Sequence, residues 1–197
     1  MTTPATNAPA PAGASGDAAP SHATLARDYA AILRRHALDP AAPPAPVSAH
    51  APEFADRLRR FLDIAWGALW SSGISWIGFY VHGPHAGEMS LVAREPKPAC
   101  SPIGLHGLCG RGWRDARCFV VPDVRSLGPN YVACDPRDQS ELVVPVVLAD
   151  GTIWGVLDAD SFDLGAFTPD DARGLTDLLV AIGISYPVDD HRRVEVL

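Results

Sequence analysis

Four cysteines are the residues of this sequence best suited to chemistry. All of them lie within 35 residues of a chain of 197, at Cys100, Cys109, Cys118 and Cys134. A structural zinc site usually includes two cysteines separated by about two to four residues, and that spacing is absent here. Four cysteines are also too few for a disulfide scaffold. The spacing therefore predicts no metal site and leaves two interpretations open, thiol redox chemistry and simple burial.

The sequence around each cysteine bears on these two interpretations. Cys118 lies in the apolar run 118–121, where a free cysteine usually behaves as a small buried hydrophobic residue. Cys100, Cys109 and Cys134 lie outside the periodic segments, which predicts that each belongs to a loop. The glycines around Cys109 would let its sulfur move, as disulfide exchange requires. These three are the candidate redox cysteines, and Cys118 is expected to be a buried bystander.

Acidic residues form a second group of candidates. In the last predicted strand, alternation places Asp158 and Asp160 on one face together with Trp154 and Val156. Two carboxylates this close repel each other, so they need a nearby cation or one of them must hold a proton. Glu141 could reach the same place from the preceding strand. The alternative is that these carboxylates lie at a solvated strand end.

Two aromatic residues, Trp76 and Tyr80, share one face of an earlier predicted strand, with Gly78 between them. Aromatic residues in strands usually belong to the core, but a pair separated by glycine can also form the side of a small pocket. Together with the acids and thiols they indicate a concave site. Such a site favours a cationic ligand, such as the α-ammonium group of a free amino acid. Its thiols could reduce a disulfide, a peroxide or a sulfoxide.

The pattern of hydrophobic residues predicts the elements that must position these side chains. Helical periodicity and strand-like alternation predict an α+β fold, with an antiparallel sheet flanked by helices. The helices are expected in residues 23–38, 52–71 and 168–184, and the strands in 74–82, 88–96, 117–123, 140–149 and 152–161. The predicted organisation is a disordered Ala/Pro-rich tail (1–22), a helix with a Pro/Ala spacer (23–50), one folded domain (51–185) and a C-terminal tail (186–197).

Composition and charge exclude several functions. The chain has 16 basic and 23 acidic residues and a net charge of −7, which argues against nucleic-acid binding because that affinity rests on basic side chains. Lys97 is the only lysine, so there is no polybasic patch for a membrane surface. The sequence shows neither a secretory signal nor an apolar stretch of about 18 residues. We therefore expect a cytoplasmic protein, where thiols stay reduced unless they take part in redox chemistry.

Seven short motifs occur in the order found in one known family. They are Trp76–Tyr80, Lys97–Cys100, Gly107–Gly110, Val121–Val124, Ala133–Asp135, Ser140–Pro145 and Gly155–Ser161. With these motifs the sequence resembles the free methionine-(R)-sulfoxide reductases, which are single GAF domains, over roughly residues 54–179. The three candidate redox cysteines coincide with the three cysteines of that family.

This resemblance implies a six-stranded antiparallel GAF sheet and thiol-dependent reduction of free methionine sulfoxide, with no metal or organic cofactor. By position, Cys134 would attack the sulfoxide and become a sulfenic acid, and Cys109 and Cys100 would resolve and recycle the disulfide. An attacking role for the Cys109 position is the alternative within the family. The implied partners are the free amino-acid substrate, a thioredoxin-like reductant and a second copy of the chain in a homodimer.

The resemblance also implies the substrate contacts. Trp76 and Tyr80 would enclose the methyl-sulfoxide end, and the acidic binding residues would be Glu141, Asp158 and Asp160. One of these crowded carboxyl groups would protonate the sulfoxide oxygen.

Two segments depart from the family pattern. The stretch 101–108 is one residue shorter than usual and has His106 where lysine is typical, and residues 128–131 read Gly-Pro-Asn-Tyr. These changes put the disulfide pairing in question more than the substrate. Two other functions also stay open, because GAF domains share a fold without sharing a function. One is a small-molecule sensor, and the other is a thiol switch that senses oxidants without turning over a sulfoxide.

Overall fold

An α+β arrangement of helices and strands accounts for the described part of the chain. The computed structural model describes residues 26–83, 87–131, 134–187 and 193–197, apart from the side chains of residues 129 and 130. The predicted tail (1–22) and the turn at 84–86 therefore lie outside the described residues. The helices are α1 (Tyr29–Arg35), α2 (Pro52–Leu69), α3 (Leu108–Asp115) and α4 (Pro169–Ile182). The strands are β1 (Trp76–His82), β2 (Glu88–Glu95), β3 (Ile103–Gly104), β4 (Cys118–Val121), β5 (Ser140–Val147), β6 (Ile153–Ser161) and β7 (Val194–Val196).

The strands form one sheet in the order β3-β2-β1-β6-β5-β4-β7. Neighbouring strands are antiparallel, except that β7 runs parallel to β4. The α+β layout is confirmed, but the described sheet has seven strands instead of six and includes one parallel pair. Both edge strands are short, two residues in β3 and three in β7, so neither shows the alternation that reveals a strand in a sequence. β7 lies in the segment predicted as a C-terminal tail.

Helices α2 and α4 cover one face of the sheet and form the main core with it. Phe61 of α2 meets Phe79 of β1 with 5.3 Å between ring centroids. A capping box between Thr168 and Asp171 begins α4, and Gly183 ends it in the left-handed conformation. These two helices confirm the prediction, whereas α1 is shorter than predicted. In the described part of the chain, no helix combines the length and apolar character needed to cross a bilayer.

The other face of the sheet carries α3, a helix absent from the prediction. Its eight residues include Gly110 and Gly112, and glycines at these positions hide the apolar period that marks a helix. Both glycines lie at close approaches. A Cβ atom on Gly110 would fall 2.2 Å from the Leu105 carbonyl oxygen, and one on Gly112 would fall 2.6 Å from Val143 Cγ1. The prediction that Cys109 belongs to a loop is wrong, because Cys109 lies in the first turn of α3.

A bulge in β6 redirects one side chain that the sequence placed with the acids. The pairing of β5 with β6 skips Trp154, which is the extra residue of the bulge. Its indole packs edge-on against Phe54 of α2, with 5.1 Å between ring centroids, in the main core. The expectation that Trp154 shares a face with Asp158 is therefore wrong, since the alternation is interrupted at the bulge.

A buried ion pair fixes the residues before α1 to the start of α4. Arg27 Nη1 lies 3.0 Å from Asp171 Oδ1, and only 3% and 7% of the two side chains are exposed. The Tyr29 hydroxyl donates to the same carboxylate oxygen, and the backbone and hydroxyl of Thr168 donate to the other. Arg27 also donates to acceptors in two other segments. Every charge in this network therefore has a partner.

Candidate active site

A small cavity lies between α3 and the sheet face that is turned away from the main core. Strands β1, β5 and β6 contribute one side, and α3 with the loops around it contributes the other. Its polar lining side chains are Tyr80, Cys109, Tyr131, Cys134, Asp138, Glu141, Asp158 and Asp160. None of the described lining residues carries a positive charge, so the cavity suits a positively charged ligand.

The sheet register brings the three predicted acids together in this cavity. Glu141 of β5 lies directly opposite Asp160 of β6, and Asp158 lies two residues earlier on the same face. All three are buried, with 6–8% of their surface exposed, so the alternative of a solvated strand end is wrong. Burial raises the pKa of Asp158 to about 7. Burial first, and then repulsion from Asp158, raises the pKa values of Glu141 and Asp160 well above their usual range.

Two further lining residues, Asp138 and Tyr131, were not predicted. Asp138 is buried in the turn before β5, and burial followed by the nearby charge of Asp135 raises its pKa to about 6. Neither residue belongs to a periodic segment, so no pattern of alternation could reveal them. For Asp138, the one available signal in the sequence was that an acidic residue occurs three positions before Glu141. With Asp138, the cavity contains four buried carboxyl groups.

Two of the candidate redox cysteines, Cys100 and Cys134, lie next to each other. Cys134 is half-buried and lines the cavity, whereas Cys100 is exposed. Their thiols are close enough for each to influence the titration of the other. The Tyr80 hydroxyl donates to the Cys100 carbonyl oxygen at 2.8 Å and lies 4.0 Å from Cys134 Sγ. Burial, reinforced by the Cys100 thiol, raises the pKa of Cys134 to about 12.

The third candidate, Cys109, lies on the acidic side of the cavity. Its thiol lies close to the Asp158 carboxyl group. The Cys109 sulfur and one carboxylate oxygen each from Glu141 and Asp158 all lie within 4.8 Å of one another. Burial and then the neighbouring carboxylates raise the pKa of Cys109 well above its usual value. The Cys109 thiol therefore lies among the acids, whereas the Cys100 and Cys134 thiols lie next to each other.

Of the two predicted aromatic residues, one lines the cavity and the other packs beside it. Tyr80 lines the cavity, but Trp76 is not among the described lining residues. The Trp76 ring fills the space above Gly78, where a Cβ atom would come within 2.3 Å of it. The indole N–H donates to the Lys97 carbonyl oxygen at 2.9 Å, and the ring centroid lies 6.0 Å from that of Tyr80. Trp76 therefore contacts both Tyr80 and the loop that leads to Cys100, and helps to position them.

The acid beside Cys134 in the sequence, Asp135, is paired with cations. Lys97 and Arg137 both form ion pairs with its carboxylate. These hydrogen bonds hold the pKa of Asp135 far below its usual range, so it stays ionised and neutralised outside the cavity.

The fourth cysteine, Cys118, lies in the main core on the opposite face of the sheet, with 1% of its surface exposed. Burial raises its pKa to about 11. The prediction that Cys118 is buried away from the other three is confirmed.

These features define a small α+β domain with a buried acidic cavity and thiols beside it. Comparison with known proteins gives the same class, because residues 51–185 match the GAF domain family. The free methionine-R-sulfoxide reductase of Saccharomyces cerevisiae is 36% identical over 116 residues, which cover 57% of this chain and 63% of that protein. The Escherichia coli protein of the same name is 32% identical over 127 residues, covering 61% of this chain and 71% of that protein.

A solved structure extends the comparison to the fold. The X-ray structure of free methionine-R-sulfoxide reductase from Neisseria meningitidis in complex with its substrate superposes with a TM-score of 0.60 at 32% identity, covering 68% of this chain and 78% of that chain. This chain belongs to the GAF domain family and, within it, to the free methionine-R-sulfoxide reductase family. It spans 63–65% of the length of several other curated relatives that it matches.

Proposed function

We propose that this protein reduces free L-methionine-(R)-sulfoxide to methionine with its own thiols. The observation that carries this proposal is that Cys109 and Cys134 line one cavity together with four buried carboxyl groups. Such carboxyl groups attract the ammonium group of a free amino acid, and the thiols supply the electrons. The likeness to a reductase bound to its substrate supports the same function.

The substrate is proposed to bind with its ammonium group among Glu141, Asp158 and Asp160. A peptide-bound methionine sulfoxide has no ammonium group at this position, so burial of these acids favours the free amino acid. The methyl-sulfoxide end would lie beside Tyr80, which Trp76 supports. Since the Tyr80 hydroxyl is 4.0 Å from Cys134 Sγ, a sulfoxide group there is within reach of this thiol.

Cys134 is proposed to be the attacking residue. Its sulfur bonds to the sulfoxide sulfur while a carboxyl group donates a proton to the oxygen. The oxygen is then transferred to Cys134, which becomes a sulfenic acid, and methionine is released. Asp158 is suited to donate the proton because its pKa of about 7 leaves it about half protonated at neutral pH and largely protonated below it. The charge of Asp158 also contributes to the raised pKa of Cys134, so an ammonium group in the cavity would favour the reactive thiolate.

The sulfenic acid is proposed to be captured by Cys100. A disulfide forms between Cys134 and Cys100, and the sulfenic oxygen leaves as water. The proximity of these two thiols supports this pairing over one with Cys109. A thioredoxin-like protein then supplies two electrons and two protons to restore both thiols, either directly or by exchange through Cys109. This reductant, a cytoplasmic location and a homodimer complete the proposal.

The proposal is tested by thioredoxin-coupled NADPH consumption with free Met-(R)-sulfoxide, its (S) epimer and a peptide sulfoxide. Only the first should be turned over. Cys134→Ser should abolish turnover, whereas the matched variant Cys118→Ser should retain it. Equal rates with the three sulfoxides would contradict the assigned specificity.

Mass spectrometry identifies the disulfide partner and separates catalysis from oxidant sensing. One equivalent of free Met-(R)-sulfoxide should produce one disulfide, between Cys100 and Cys134, and one methionine. Disulfide formation with hydrogen peroxide but not with the sulfoxide would favour a thiol switch.

A further inference from the structure

We propose that Cys109, Glu141 and Asp158 form a binding site for a thiophilic divalent cation, with Zn²⁺ as the best fit. The three residues are 4%, 6% and 7% exposed. The site lies inside the cavity that is proposed to bind the sulfoxide. A metal ion can bind there without any sulfoxide being reduced. The existence of the site is therefore independent of whether the protein reduces a sulfoxide.

The donor geometry supports a single bound ion. One sulfur and two carboxylate oxygens lie within 4.8 Å of one another. Zinc binds thiolate sulfur at about 2.3 Å and carboxylate oxygen at about 2.0–2.2 Å, which separates tetrahedral ligands by roughly 3.5 Å. A change of about 1 Å at flexible side chains brings the three atoms to these distances. Asp160 also lines the cavity, but it is not part of the group whose ligand atoms lie within 4.8 Å of one another.

An independent observation points to a ligand at this place. Asp158 Oδ1 is buried and has no hydrogen-bond partner among the described residues. A buried carboxylate oxygen without a partner is costly, and proteins usually satisfy it with a donor or a cation. No described residue that lines the cavity is basic, so a bound cation would meet no competing positive charge from these side chains.

The donor set selects the class of metal. Calcium and magnesium prefer oxygen ligands alone, whereas a thiolate with carboxylates suits zinc and other softer ions. The ligands come from α3, β5 and β6, and lie 32 and 17 residues apart along the chain. For this reason the short cysteine spacing that marks structural zinc sites is absent from the sequence.

Bound zinc would occupy the place proposed for the substrate ammonium group. Coordination releases the Cys109 proton and any carboxyl protons to solvent, and no electrons are transferred. If the proposed function holds, zinc acts as a reversible inhibitor that competes with the substrate. Chelation by a stronger ligand would then restore activity.

The test uses the full-length reduced protein and Zn²⁺ in competition with a chromogenic zinc indicator. Wild type should bind one equivalent. Cys109→Ser, Glu141→Gln and Asp158→Asn should each weaken binding by about tenfold or more, with circular dichroism confirming that each variant is folded. With Cd²⁺ as the probe, Cys109→Ser should also lose the thiolate-to-metal absorption band.

The matched controls are Cys118→Ala, in the main core, and Cys100→Ser, outside the cavity. Both should bind zinc as wild type does. Absence of a binding equivalent in wild type would overturn the proposal. So would binding that survives Cys109→Ser but is lost in Cys100→Ser, because the adjacent thiol pair would then be the ligand. The NADPH assay reports separately on the proposed function, since zinc binding is measured without turnover.

Discussion

Asp171 and Asp158 are similarly buried, 5% and 7% exposed, but one is surrounded by partners and the other is not. Asp171 is paired with Arg27 and accepts hydrogen bonds from Tyr29 and Thr168. Asp158 has an oxygen without a partner among the described residues, and acids and thiols surround it. Burial alone therefore does not assign a role to either carboxylate. The partners do.

The contrast separates a structural carboxylate from one suited to a ligand. At Asp171 the protein itself compensates for the loss of hydration, so the network holds α4 and the residues before α1 together. At Asp158 that compensation is left to a cationic ligand. A ligand that binds only the folded state also stabilises it, so binding in the acidic cavity should raise the free energy of unfolding.

The largest effect on stability is expected at the paired site. Arg27→Ala leaves the Asp171 carboxylate buried without its cation, and should lower the free energy of unfolding by about 3–5 kcal/mol in urea denaturation. Activity per folded molecule should stay near wild type because the cavity lies on the opposite face of the sheet. The matched variant Arg34→Ala removes an exposed arginine, 71% of whose side chain is solvent-accessible, and should change stability by less than about 0.5 kcal/mol. Equal effects of the two variants would contradict the comparison.

The unpaired site should show the reverse pattern. Asp158→Asn removes the proposed proton donor and an ammonium ligand, and should lower kcat/KM for free methionine sulfoxide by about 100-fold or more. Stability should stay equal to wild type or rise, since the amide can donate a hydrogen bond to a neighbouring carboxylate. Parallel rate measurements and urea denaturation at pH 7 check both parts. A loss of several kcal/mol in stability would mean that Asp158 is structural after all.

The pH dependence of stability offers a third way to separate the two sites. Because the pKa of Asp158 is raised to about 7, the folded state binds more protons than the unfolded chain between pH ~4 and ~7. The free energy of unfolding should therefore fall as pH rises through this window, by about 1.4 kcal/mol per pH unit for each such group. Asp158→Asn should flatten the slope by up to that amount. A slope that Asp158→Asn does not alter would contradict the raised pKa.

The sequence was sufficient for the parts of the fold and site that depend on regular alternation. Glu141, Asp158 and Asp160 could be placed on one face because β5 and β6 are long and pair as a hairpin. The same rule failed for Trp154, since one bulge reverses the direction of a side chain and a bulge has no reliable pattern. Helix α3 was missed because two of its residues are glycines, which have low helical propensity but allow close packing against Leu105 and Val143.

The partners of each buried charge were beyond the reach of the sequence. Arg27 and Asp171 lie 144 residues apart, and nothing local indicates that they meet. Asp138 belongs to a turn, where no periodicity reports burial. The difference between a satisfied and an unsatisfied carboxylate is a property of tertiary contacts, and it is the difference that carries the functional argument.

A third carboxylate, Glu195 of β7, sharpens the comparison because it is paired but exposed. It forms ion pairs with Arg111 at 2.8 Å and Arg117 at 3.6 Å, and 36% of its side chain is accessible. Water already screens these charges, so Glu195→Gln should lower the free energy of unfolding by only about 0–1 kcal/mol. Urea denaturation at low and high salt measures this, and the difference from wild type should shrink as salt rises. If Glu195→Gln lowered stability as much as Arg27→Ala, burial would not matter. Ion pairing alone would then decide how strongly a carboxylate stabilises this protein.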